Sequence, residues 1–87
     1  MNCVLVVCHT NDAARSKFKD MVNEYGSKVK KALYNRLTIE VDDREYWFIS
    51  QSSLPEKIIG LTFHSVIVDE AVQLTNEQIM WIMSRRR

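Results

Sequence analysis

Glycine is nearly missing: 87 residues include two, Gly26 and Gly60. Backbone amides wrap a phosphate only where side chains leave room, which calls for a glycine-rich loop. No Gly-x-x-x-x-Gly-Lys-Ser/Thr run occurs, so a phosphate cradle of that kind is excluded. Cysteine is as scarce. Cys3 and Cys8 are the two, both in the first apolar run. Five positions apart on a strand they point to opposite faces and cannot bond to each other. A reducing, cytoplasmic setting is expected. No apolar run approaches the length of a membrane span, so no membrane partner is expected. Met1-Asn2-Cys3 leads directly into a strand, with neither a basic region nor a cleavage site, which argues against a targeting segment. The formal net charge of +1 gives no global field that would select nucleic acid or membrane. Repeats, low-complexity tracts and linkers are lacking, and 1–87 reads as one small domain with a marginal core.

What is present is a set of short apolar runs with polar punctuation. Cys3-Val4-Leu5-Val6-Val7-Cys8 and Ser65-Val66-Ile67-Val68 are continuous and β-branched, the signature of parallel strands buried on both faces. After the first run, Thr10 or Asn11 is a natural N-cap. Ala14, Phe18, Met21, Val22 and Tyr25 then form one helical face. Gly26 is a natural helix terminator, yet the same face continues through Val29, Ala32 and Leu33, and the spacing alone leaves both endings open. Leu37, Ile39 and Val41 alternate with polar residues. With Tyr46-Trp47-Phe48-Ile49 beyond the Asp42-Asp43-Arg44 turn, they predict a hairpin from about Arg36 to Ser50. Ser53-Leu54-Pro55-Glu56 and Thr75-Asn76-Glu77-Gln78 are capping boxes. The second opens a helix with Ile79, Ile82 and Met83 inward. Trp81 is then expected on the outer side, as a candidate partner contact alongside Trp47. The sum is an α/β domain with a mixed sheet of about four strands and flanking helices. The two apolar strands are expected to be parallel and central, with the hairpin strands flanking them.

Asp69 and Glu70 follow the second apolar strand at its C-terminal end, where open α/β sheets hold ligands. Buried carboxylates there need a cation or hydrogen-bond donors. An apolar strand ending in Asp69-Glu70-Ala71 resembles the Walker B motif of P-loop ATPases, above all motif II of helicases and of phage terminase large subunits. Val4 to Ala14 resembles the helicase segment called motif Ia. Tyr46 to Ser50 followed by Lys57 to Phe63 is similar to the terminase stretch before Walker B, and Leu74 to Arg86 to the helix after it. The resemblance touches most of the chain through the order of its motifs.

It implies a P-loop-ATPase-like (Rossmann-like) fold in which Asp69 orders magnesium and Glu70 polarises the attacking water. With no Walker A loop to hold nucleotide, the pair is expected to be vestigial. Hydrolysis by this chain alone is not expected. Two readings follow from the resemblance. One is a non-catalytic, phage-encoded accessory protein, derived from a DNA-packaging or helicase-like ATPase, that contacts nucleic acid or a protein. The other is part of a split ATPase, whose magnesium and ATP would require a P-loop from another chain.

Other chemistries are weighed on the residues. Asp42, Asp43, Asp69 and Glu70 could meet around magnesium as a small nuclease, although the first two already serve as turn residues. Cys3, Cys8, His9 and His64 match no common zinc spacing. A thiol nucleophile at Cys8 would need exposure and a depressed pKa, which nothing nearby supplies. Lys28, Lys30 and Lys31 with Arg85, Arg86 and Arg87 could bind nucleic-acid phosphates, with Tyr46 and Trp47 as a stacking surface; the alternative is solvated surface. An apolar edge strand would invite a second copy, hence a homodimer.

Overall fold

Cys8 and the valines before it are buried because β-branched side chains fill both faces of a pleated strand. In the computed structural model, which describes residues 2–54, 62–70 and 72–85, this run is β1 (Asn2–Cys8). It is followed by α1 (Asn11–Tyr25), β2 (Val29–Leu33), β3 (Thr38–Val41), β4 (Arg44–Ser50), β5 (Ser65–Val68) and α2 (Asn76–Arg85). Pro55 and Glu56 of the first capping box, the segment Lys57 to Leu61, Ala71, Arg86 and Arg87 lie outside the described residues. The strands form one mixed sheet in the order β2-β3-β4-β1-β5. β1 is parallel to β4 and to β5, with Cys8 opposite Ser50 and Val7 opposite Val68. β2, β3 and β4 run antiparallel in turn.

Thr10 caps α1, its hydroxyl accepting from the Ala13 N–H at 3.0 Å. Ala14 and Phe18 bury this helix on one sheet face, against Val4, Val6, Cys8, Ile39, Val41, Tyr46 and Phe48. The Phe18 ring meets those of Tyr34 and Phe48 edge-on, at 5.0 and 6.0 Å. The opposite face carries a second core of Leu5, Val7, Ile49, Leu54, Phe63, Val72 and Ile82. The run Tyr46 to Ile49 therefore splits by alternation. Tyr46 and Phe48 go under α1, while Ile49 and the half-buried Trp47 go to the other face. The tight β3–β4 turn places Asp42 at φ 55°, which a short polar side chain tolerates.

Four expectations are corrected. The sheet has five strands rather than about four, because the residues after Gly26 leave the helix. Gly26, at φ 53°, ends α1, and Val29–Leu33 pairs with β3. β5 is not central but at the sheet edge, so the hairpin lies on one side of β1 rather than around the two apolar strands. Nor is β5 buried: Ile67 is 50% exposed and Val68 43%. A continuous apolar run reports what a strand tolerates, whereas cover depends on which elements stand beside it.

Finally, α2 is rotated from the expected face. Ile82 is buried and Trp81 packs against the second core, while Ile79 and Met83 are exposed. Gln78 sets that rotation. Its side-chain oxygen accepts from the Thr75 N–H at 3.0 Å and from Gln51 Nε2 at 2.9 Å, completing the predicted capping box and tying it to the end of β4.

Candidate functional site at the C-terminal rim of the sheet

Three parallel strands bring three chain segments to one rim: His9–Thr10 after β1, Gln51–Ser53 after β4, and Asp69–Glu70 after β5. The chain leaves β1 toward the face covered by α1. Leu54, after β4, and Val72, after β5, lie in the core on the other face. Connections that depart to opposite faces open a crevice beyond the strand ends, the usual ligand position in such sheets.

Asp69 is held from both sides. Its N–H bonds Val7 O at 3.0 Å, and its Oδ1 accepts from the Glu70 N–H at 3.0 Å. Lys17 Nζ on α1 stands 3.5 Å from the same oxygen. The cation that a carboxylate at this place calls for is thus supplied by the protein. Glu70 is exposed. Beside Asp69 in register, Cys8 is fully buried. Burial raises its thiol pKa, the Asp69 charge raises it further, and Lys17 partly offsets this. An inaccessible thiol held protonated is no nucleophile.

The wider carboxylate set is not assembled. Asp42 and Asp43 precede β4 and Asp69 lies past its far end, so the seven residues of β4 separate them by roughly 20 Å. A magnesium ion shared by all four carboxylates is excluded by that distance. The zinc set is divided in the same way. His64 sits at the opposite edge, its Nδ1 accepting from the Cys3 N–H at 3.2 Å, while Cys8 and His9 are at the rim. Among the described residues no group of three or more His, Cys, Asp or Glu is placed to hold a metal ion.

Of the expected basic surface, the lysines and the position of Arg85 fall at different ends of the sheet. Lys28, Lys30 and Lys31 lie on or beside β2, at one end of the sheet. Arg85 ends α2, which packs by β5 at the other end, about 19 Å away across four strand spacings. Lys31 stands opposite Glu40 in the strand register. Tyr46 is buried under α1 and offers no stacking surface. Trp47 is half-buried, with its indole N–H donating to Glu45.

Two arginines that sequence reasoning passed over do converge. Arg15 on the first turns of α1 and Arg36 in the β2–β3 turn line a groove of about 450 Å³ above the end of β4. Asn11, Asn35, Ser50 and Ser53 complete its polar lining, which contains no described carboxylate. Ser50 Oγ is buried and lies within 3.0 Å of the Ser52 and Ser53 hydroxyls. Two guanidinium groups, side-chain amides and hydroxyls beside a helix N-terminus suit a phosphate. Arg15 and Arg36 are 21 positions apart in the chain, and no local pattern links them. No family model, curated protein or solved structure matches this chain.

Proposed function

We propose that the chain is a non-catalytic binding module of the terminase- or helicase-like type that contacts the phosphate backbone of single-stranded nucleic acid at the C-terminal rim. The observation that carries this reading is the groove in which Arg15 and Arg36 meet Asn11, Asn35, Ser50 and Ser53 without a described acid. Asp69, engaged by Lys17 and the Glu70 N–H, supports a vestigial rather than a catalytic carboxylate. Arg15 and Arg36 are both exposed on the surface, which favours a backbone contact shared along a strand over capture of a single nucleotide.

The test is anisotropy of a labelled oligodeoxythymidine titrated with the chain at several salt concentrations. Two phosphate contacts give a log–log salt slope of about −1.4. Arg15→Ala with Arg36→Ala is expected to remove at least 90% of the affinity. Lys28→Ala with Lys30→Ala should leave most of it. The reverse ranking, or magnesium-dependent ATP turnover by the purified chain, would defeat the proposal.

A further inference from the structure

Ile67 and Val68 belong to a strand whose composition suits cover on both faces, yet they lie exposed at the sheet edge. Among the described residues, no segment pairs with the outer side of β5. The Asp69 N–H points inward to Val7 O, so by alternation the Val68 N–H points outward.

The surfaces above and below this edge differ in chemistry. On the α2 side, Val66, Val68, Leu74, Ile79 and Met83 line an apolar groove of about 460 Å³ without a charged residue. On the α1 side, Ile67 lies in a second groove, of about 570 Å³, bordered by Asp20, Glu24, Asp69 and Glu70. Lys17 is the one cation of that lining and is paired with Asp69.

We infer that β5 is a docking edge for an extended segment of a partner protein whose side chains alternate apolar and basic. Added as a sixth strand, the segment takes the outward backbone groups of β5. Its apolar side chains enter the Val68–Met83 groove, and its lysines or arginines reach Asp20, Glu24 and Glu70. Charge selects this occupant over a second copy. Two-fold pairing of β5 with itself would set one acidic border facing another on the same side of the joined sheet, which is unfavourable. The site is separate from the Arg15–Arg36 groove and does not depend on the nucleic-acid proposal.

The experiment titrates fluorescein-labelled (Lys-Val)4 and (Glu-Val)4 peptides against the full chain and follows anisotropy, with sedimentation of the chain alone. (Lys-Val)4 is expected to bind at least tenfold more tightly than (Glu-Val)4. Asp20→Lys with Glu24→Lys, both exposed positions, is expected to erase or reverse that preference. Val68→Pro removes an outward donor, leaves the inward Asp69 bond, and is expected to abolish binding. Ile67→Lys is expected to weaken (Lys-Val)4 at least tenfold, with an unchanged far-ultraviolet spectrum reporting an intact fold. Equal affinity for the two peptides, binding unaffected by Val68→Pro, or a dimer of the chain that Ile67→Lys dissociates would each overturn the inference.

Discussion

Asp69→Asn tests what the acid at the end of β5 does. The substitution removes the charge facing Lys17 but keeps an oxygen able to accept from the Glu70 N–H. What is lost is an ion pair of 3.5 Å in which Lys17 is 52% exposed and Asp69 22%. Pairs of that exposure contribute about 0–1 kcal/mol, and less at high salt. Thermal unfolding followed by circular dichroism should therefore fall by no more than about 4–8 °C for a chain of this size. Magnesium separates the two roles of the carboxylate. Were Asp69 a metal ligand with a Kd of about 100 μM, about 10 mM magnesium would stabilise the native chain by about 2.7 kcal/mol. That is a rise of roughly 10–20 °C, abolished by the substitution. The geometry predicts no magnesium-dependent rise in either protein, because Lys17 already meets the acid. A rise of that size in the wild-type chain alone would refute the argument.

Other substitutions probe the scaffold that positions the rim. Phe18→Ala empties the centre of the α1 core and should cost about 3–5 kcal/mol in urea unfolding, most of the stability of so small a domain. Gln78→Ala breaks both the helix cap and the tie to Gln51; a loss of about 1–2 kcal/mol is expected in the same assay, with a shift in Trp81 fluorescence as α2 loosens. Burial, then the Glu45 charge, pushes the Cys3 thiol up to about 11 from an ordinary value of 9.0. Iodoacetamide at pH 8 should thus label Cys3 about 100-fold more slowly in the folded chain than in urea. Because the folded pKa is the raised one, this contribution to stability is full below pH 9.0 and is lost as pH climbs to about 11, as urea midpoints across that range will record.

The local features were legible. Thr10 before an apolar face with period 3.6 and the Thr75–Gln78 box each act within a few residues, and the folded chain uses them where the pattern puts them. Alternation in Ile39–Val41 and the Asp42–Asp43 turn likewise specify a hairpin without reference to the rest of the chain. Val29–Leu33 marks the boundary of this reach. Its apolar residues fit either a helix face or a strand, and pairing with β3 decides between them.

The candidate sites lay beyond that boundary. The local chemistry of residues 65–70 contains a β-branched strand and two acids, and so specifies a parallel strand ending in carboxylates. Whether that strand is central or at an edge depends on strand order, which is a property of pairings between distant segments. The same holds for the rotation of α2, set by the contact of Gln78 with Gln51, for the ammonium of Lys17 at Asp69, and for the meeting of Arg15 with Arg36. Short-range sterics and hydrogen bonding act between chain neighbours and can be read in order along the chain. Burial and charge neighbourhood arise only when folding sets remote residues side by side.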